Sequence, residues 1–212
     1  MTLRRTIFTL FIVFCAFGCR NQQKPKAVVV IEKKQLKTMS IYFSGEEQTG
    51  WVEGQSTFAK KGSIGDALKT IHDVDFNFVI DLDAAFEGLV SLDGIELLPN
   101  LESVNINSSR VTDISPLLKL PKLTTIIAAY NQIKVVPDFS VLTNLKVLNV
   151  ENNPLVDFSN LRKLTFLEEV GFSFYPPDDH AKDDEAWYLC DFLEKNGVKT
   201  FYYPYQAQTT DE

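Results

Sequence analysis

Side chains that could perform acid–base or nucleophilic chemistry are few in this sequence and do not converge. The two histidines, His72 and His180, lie in different segments of the 212-residue chain. Glu168 and Glu169 are neighbours in a predicted strand, where successive side chains point to opposite faces, so they are poorly placed to share a substrate. The chain has no glycine-rich phosphate loop, His-Glu-x-x-His motif or Cys-x-x-Cys pair. The sequence therefore predicts a protein that is not an enzyme and needs no cofactor.

One acidic run could in principle hold a metal ion. It consists of Asp178, Asp179, Asp183, Asp184 and Glu185. A calcium site is the sharper interpretation, but the run has neither the glycine nor the spaced Asp and Asn pattern of a known calcium loop. We interpret it as the start of a helix, where carboxylates complement the helix dipole. No metal site is predicted.

The cysteines do not indicate metal binding either. Cys190 follows the acidic run on the same predicted helix, and no histidine or second cysteine lies near it at metal-ligand spacing. We therefore expect its side chain to behave as a small buried apolar group.

The N-terminus has the anatomy of a secretory signal. Arg4 and Arg5 precede an apolar run over residues 7–17, and Gly18 stands before Cys19. An uncleaved membrane anchor is the alternative, but the run is shorter than the roughly 20 residues that cross a bilayer. We expect residues 1–18 to be a signal peptide.

The end of this signal, Ala16-Phe17-Gly18-Cys19, resembles that of bacterial lipoproteins. In that family the cysteine becomes the lipid-modified first residue of the mature chain. The resemblance implies lipidation of Cys19, a polar tether over residues 19–26, and a place in the bacterial cell envelope. The anchoring surface would be the outer membrane or the periplasmic face of the inner membrane.

The charge of the chain excludes one class of partner. The full sequence carries 21 basic and 28 acidic residues, a formal charge of −7, and loss of Arg4 and Arg5 with the signal leaves 19 basic residues, or about −9. No basic stripe follows the tether, so nucleic acid is not expected as a ligand. An anionic membrane surface would also repel the domain, which leaves the lipid chain to make the membrane contact.

A 22-residue period organises the middle of the chain. Apolar residues recur at three positions of each unit, the last two of them spaced as in a short strand with one buried face. The second half of each unit has apolar residues every three positions, which favours a 3₁₀-like or extended return segment. The first half contributes Val79, Leu101, Leu123, Leu145 and Leu167, then Leu82, Val104, Ile126, Leu148 and Val170, then Ala84, Ile106, Ala128, Val150 and Phe172.

These units resemble the leucine-rich repeat family. The pattern L-x-x-L-x-L-x-x-N-x-L is matched from Leu145 to Leu155 and from Leu123 to Ile133, and residues 111–117 resemble its short, internalin-like bacterial form. The resemblance covers residues 79–176, about four to five units. It implies an α/β solenoid with short parallel strands on a concave face and 3₁₀ or extended segments on the convex side.

Two asparagines have a predicted structural role in this pattern. Asn131 and Asn153 occupy the Asn position of their units, where the amide can bond to buried backbone groups of adjacent turns. Ser109 takes this position one unit earlier, and Glu87 and Tyr175 take it in the first and last units.

Flanking segments are expected to cap the repeats. Residues 27–78 form a β-rich N-terminal cap, with strands over 27–32 and 36–43. A helix from about 64 to 73, with Ser63 as its N-cap, is expected to cover the end of the stack. Residues 177–204 form a C-terminal cap, with a helix that stops at Gly197 and a final strand over 198–203. Residues 205–212 are expected to be a loose tail.

Strand positions between the apolar anchors should face solvent as one continuous surface. Its centre holds Ile127, Tyr130 and Val147 within a polar rim, a composition that is typical of a modest protein-binding patch. The predicted partner contacts are Asn105, Asn107, Thr125, Ile127, Tyr130, Val147, Asn149, Glu151, Asn152, Glu169 and Phe174.

The sequence thus predicts a monomeric, non-catalytic binding module, and the family resemblance implies that its ligand is another protein. Two alternatives stay open. A carbohydrate- or peptidoglycan-binding role would use surface aromatics beside polar pairs, such as Tyr130 with Glu151 and Asn152. A structural envelope component would have no dedicated ligand.

Overall fold

Short parallel strands form the main sheet of the protein. The computed structural model describes residues 33–43, 56–59, 62–85, 88–174 and 184–204, and it describes side chains throughout these except at 42–43, 56–59, 174, 184 and 202–204. Eight described strands form one parallel sheet in the order β10-β9-β8-β7-β6-β4-β1-β2. They are β1 (Thr38–Phe43), β2 (Ser56–Ala59), β4 (Asp81–Asp83), β6 (Ser103–Asn105), β7 (Thr125–Ile127), β8 (Val147–Val150), β9 (Glu169–Phe174) and β10 (Lys199–Pro204).

The register of the sheet follows the 22-residue period. Val104 pairs with Ile126, Ile126 with Leu148, and Leu148 with Val170, so equivalent anchors lie side by side. All fifteen anchors predicted from the sequence are buried. The flanking strand residues are mostly partly exposed, as the period-two pattern of a one-faced strand requires.

Each return segment contains a short 3₁₀ helix, as the period of three predicted. These helices span Ile95–Leu97, Ser115–Lys119, Phe139–Val141 and Leu161–Lys163, and a further one at Phe76–Phe78 precedes β4. Their inward residues continue the core formed by the strand anchors. Strand and return segment therefore bury a single apolar layer between them.

The N-terminal segment joins the main sheet. Strand β1 pairs with β4 in the register of the repeats, so Met39 lies beside Leu82, and both are buried. Strand β2 pairs with the outer edge of β1, so β1 lies between β2 and β4 in the sheet. The predicted strand over 36–43 is present at Thr38–Phe43, whereas residues 27–32 lie outside the described residues.

Helix α1 (Ile64–Leu68) is shorter than predicted, and it does not cover the end of the repeat stack. Ser63 caps it, because its hydroxyl accepts the Asp66 N–H at 3.2 Å, but the helix ends five residues early. The cause is a backbone bridge in which the Lys34 N–H donates to the Asp73 carbonyl at 2.7 Å, holding residues near 73 in an extended form. Helix α1 packs against the first return segment, and strand β2 occupies the end of the main sheet.

A pair of glycines allows this contact. The two-residue β3 (Gly62–Ser63) pairs with β5 (Leu89–Ser91), which brings Gly65 of α1 against Gly94. A Cβ at Gly94 would lie 2.4 Å from the Cα of Gly65, and Gly94 has a φ of +88°. The close approach and the left-handed backbone both exclude a larger residue at this position.

The helix and the final strand predicted for the C-terminal cap are present. Helix α2 (Asp184–Lys195) ends at Gly197, whose φ of +85° closes the helix, and the Val198 N–H donates to the Leu193 carbonyl at 3.1 Å. Strand β10 then pairs in register with β9. Residues 178, 179 and 183 of the predicted acidic run lie outside the described residues.

Candidate functional site

Buried asparagines fix the loops that follow the strands. The Asn153 amide donates to the carbonyls of Ala128, Val150 and Glu151 at 2.9 to 3.1 Å, and its oxygen accepts the Ile133 N–H at 2.9 Å. Asn131 makes the equivalent bonds one repeat earlier, to three carbonyls and to the Val111 N–H. Both amides are buried, and they hold the loop of one repeat against that of the preceding one.

The concave face is formed by the strand residues between the anchors. From β4 to β10 it presents two columns, in which Thr125 and Val147 lie side by side, as do Ile127 and Asn149. Ile127 and Val147 are partly exposed and lie diagonally across two adjacent strands, so they form an apolar centre. The columns consist of Asp81, Ser103, Thr125, Val147, Glu169 and Lys199, and of Asp83, Asn105, Ile127, Asn149, Gly171 and Phe201.

Two of the predicted contact residues also stabilise the turns at the strand ends. The Asn105 oxygen accepts the Asn107 N–H at 3.1 Å, and its amide donates to Asp83 at 3.1 Å. The Asn149 oxygen accepts the Glu151 N–H at 2.9 Å, and its amide donates to the Glu151 carboxylate at 3.2 Å. Asn105 and Asn149 are thus held rigidly on the rim of the apolar centre.

The C-terminal side of the concave face is more polar. The side chains of Asn149 and Glu151 lean over Gly171, where a Cβ would lie 3.2 Å from each Cγ. Lys199 lies 3.5 Å from the Glu169 carboxylate and 4.3 Å from the ring centroid of Phe201. The apolar centre is therefore flanked by an organised set of charges and amides.

Tyr130 lies just beyond the C-terminal end of β7, at the edge of the concave face, and its backbone conformation is unusual. Its φ is +55°, and the residues at the same repeat position, Ser108 and Asn152, have φ of +56° and +52°. Asparagine tolerates the left-handed region, whereas an aromatic residue pays a conformational cost there. The Tyr130 side chain is nevertheless 58% exposed, so its contacts inside the fold do not explain its presence.

The repeat geometry coincides with a known family pattern. Residues 121–163 match the family model described as "Leucine Rich repeats (2 copies)". These residues contain β7, β8 and both buried asparagines, in the 22-residue register that continues through the rest of the sheet. The stack is a leucine-rich repeat solenoid.

Solved structures to which this chain is similar include two internalins of Listeria monocytogenes str. 4b F2365. Internalin C2 shares 18% identity over 62% of this chain and 66% of its own, with a TM-score of 0.44. Internalin F shares 18% identity over 72% of this chain and 49% of its own, with a TM-score of 0.45. The chain thus spans less than two thirds of either protein. No curated protein sequence matches it.

Some predicted site residues lie outside the described residues, and others lie beside the concave face. Cys19 and the tether lie outside the described residues, as does the side chain of Phe174. Asn107 lies beside the concave face with a buried side-chain oxygen that has no hydrogen-bond partner. Within the described ranges, no cluster of three potential metal ligands occurs. No helix of the described part is both long and apolar enough to span a membrane.

Replacement of Tyr130 by asparagine should stabilise the leucine-rich repeat domain. Asparagine adopts a left-handed φ at lower cost, so the free energy of unfolding should rise by about 0.5 to 1 kcal/mol. Urea denaturation measures this change. Val156→Asn is the matched control, because Val156 is also exposed but is not among the residues with positive φ, and it should give no gain. Equal effects of the two variants would contradict the assignment of backbone strain to Tyr130.

Proposed function

We propose that this leucine-rich repeat protein is a non-catalytic binding module whose concave face contacts another protein. The observation that carries the proposal is the exposed ring of Tyr130, held in a disfavoured backbone conformation at the edge of the apolar centre. Strain of this kind is tolerated where the surrounding structure imposes it, and it often accompanies a functional surface.

The surroundings of Tyr130 suit a protein partner. Ile127 and Val147 supply apolar area that water leaves when a partner docks. Asn105, Asn149 and Glu151 are already fixed by hydrogen bonds, so binding would cost little side-chain entropy at this rim. An aromatic anchor, an aliphatic floor and a preorganised polar rim together form the arrangement that concentrates binding energy in protein interfaces.

The double variant Tyr130→Ala with Ile127→Ser tests the concave face. It should abolish partner binding, measured by titration calorimetry, because Ile127 of the apolar centre and the aromatic ring of Tyr130 beside it are both lost. Its stability to urea should stay within about 1 to 2 kcal/mol of the native chain, since Tyr130 is exposed and Ile127 is only partly buried.

A matched control distinguishes the surface from a general loss of apolar area. Val141 and Val156 are exposed in return segments, and a Val141→Ala, Val156→Ser variant removes apolar side chains there. This control should bind normally. Normal binding by the Tyr130 and Ile127 variant would contradict the proposal.

We further propose that the protein is anchored in the bacterial cell envelope through lipid on Cys19. What supports this is the signal-like sequence over residues 1–19 and the polar tether that follows. Intact mass spectrometry of the protein from a bacterial host should show a diacyl or triacyl chain that begins at Cys19, and a Cys19→Ala variant should lack it. An unmodified native chain would contradict the anchor but not the role of the concave face.

A further inference from the structure

A groove at the C-terminal end of the solenoid has the composition of a second binding site. It lies between helix α2 and strand β10, has a volume of about 330 Å³, and is lined by Trp187, Cys190, Asp191, Glu194 and Thr200. The four helix residues are spaced as one stripe of a helix surface. This volume is at the lower end of the range of small-ligand sites, about 300 to 1,000 Å³.

The groove is separate from the concave face. Thr200 pairs with Val170, whose side chain is buried, whereas Lys199 and Phe201 pair with concave-face residues of β9. Because side chains alternate along a strand, Thr200 points to the opposite side of the sheet from Lys199 and Phe201. Partner binding at Tyr130 and ligand binding in this groove can therefore be tested independently.

One exposed aromatic ring, that of Trp187, lines the groove, and the ring of Tyr188 lies against it. Trp187 is 58% exposed and Tyr188 is 57% exposed, and their rings meet edge to face with centroids 5.3 Å apart. The buried side of α2 is formed instead by Ala186, Leu189 and Leu193. The rings are thus not needed to fill the core, and the edge contact holds them in place.

The polar lining selects among ligand classes. Asp191 accepts from Lys195 at 2.7 Å and Glu194 accepts from the Thr200 hydroxyl at 2.5 Å, and each carboxylate keeps further acceptor capacity. A polyanionic ligand would be repelled by the two carboxylates. A purely apolar partner would displace water from these carboxylates without offering a donor in its place, which costs free energy. A cationic ligand would compete with Lys195 for Asp191, and the Glu194 carboxylate is already bonded to the Thr200 hydroxyl.

An uncharged molecule rich in hydroxyl groups fits this lining, because it supplies donors to the carboxylates without adding charge. Sugar hydroxyls can donate to the Asp191 and Glu194 carboxylates, and the C–H face of a sugar ring can lie against the electron-rich face of an indole. Burial raises the pKa of the Cys190 thiol, so this side chain stays neutral in the groove wall. We propose that the groove between α2 and β10 is a subsite for a neutral glycan, with Trp187 as the stacking platform.

Sugar titration of a Trp51→Phe chain tests the proposal, because Trp187 is then the one remaining tryptophan. The probes are cellotriose, maltotriose, mannotriose and the trimer of N-acetylglucosamine, each to about 10 mM, where a Kd of 1 mM would be near saturation. At least one should change Trp187 fluorescence saturably. By calorimetry, Trp187→Ala and Glu194→Gln should weaken that binding by about tenfold or more.

Two control variants make the result specific. Phe78→Ala truncates an exposed aromatic outside the groove, and the Tyr130 and Ile127 double variant removes the concave centre, so both should bind the sugar normally. The proposal is overturned if no trisaccharide binds, or if binding survives both Trp187→Ala and Glu194→Gln. It is also overturned if Trp187→Ala abolishes binding of a protein partner while no sugar binds, because the groove is then a protein site.

Discussion

Replacement of Asn153 by alanine is expected to lower the free energy of unfolding by about 3 to 5 kcal/mol. The Asn153 side chain is fully buried and makes four hydrogen bonds to backbone groups. Alanine would leave the Ile133 N–H without its partner and would remove a donor from three carbonyls. No water can easily replace the amide, because the site is enclosed. Urea denaturation followed by far-ultraviolet circular dichroism measures the loss.

Asn144→Ala is the matched control for Asn153. The Asn144 amide also donates to a backbone carbonyl, that of Pro121 at 3.0 Å, but Asn144 is exposed. Water can replace this bond, so the variant should lose less than about 1 kcal/mol. Similar losses in the two variants would show that the Asn153 network does not stabilise the stack in the way described.

The Gly94→Ala variant should lose about 3 to 5 kcal/mol of stability for a different reason. A methyl group at Gly94 would meet the Gly65 backbone at 2.4 Å, and alanine would also have to adopt a φ of +88°. Neither backbone can retreat without separating α1 from the first return segment. Backbone strain and overpacking each cost about 1 to 3 kcal/mol. Chemical denaturation of the purified variant measures the sum.

A Gly197→Ala variant distinguishes the cost of backbone strain from the cost of overpacking. The φ of Gly197, +85°, is nearly that of Gly94, but a Cβ at this position would meet nothing within 4 Å. Gly197→Ala should therefore lose only about 1 kcal/mol, the conformational part alone. If Gly94→Ala were no worse than Gly197→Ala, the close packing of α1 on the repeat would be wrong.

The sequence was sufficient to predict what repeats locally. The spacing of apolar residues within each 22-residue unit indicates which positions are buried, and units of the same length stack in one register. The anchors and the 3₁₀ segments could therefore be derived from spacing alone. Ser63 and Gly197 were predictable for a similar reason, because a helix cap depends on one residue and its immediate neighbours.

What the sequence did not reveal depends on contacts between distant segments. The insertion of β1 between β2 and β4 involves strands without a 22-residue spacing, and the Gly65–Gly94 contact joins helix α1 to a turn of unrelated sequence. Helix α1 ends early because Lys34 pairs with residues near 73, a nonlocal bond that overrides helix propensity.

The candidate sites likewise contain features that the sequence predicts and features that it does not. The concave columns follow from the strand period, but the left-handed backbone at Tyr130 does not, since the residue type argues against it. The groove beside α2 could not be predicted from the helix alone, because its lining also includes Thr200 of β10. The available signal was the helical spacing of Trp187, Cys190, Asp191 and Glu194.

Site-specific photo-crosslinking in cells of the source organism tests the central claim most directly. A benzophenone amino acid is placed at Ile127 on the concave face or at Val156, which is exposed in a return segment. We predict a discrete crosslinked protein from position 127 and none from position 156. Crosslinks from position 156 alone, or from neither position, would contradict the assignment of the concave face as the protein-binding surface.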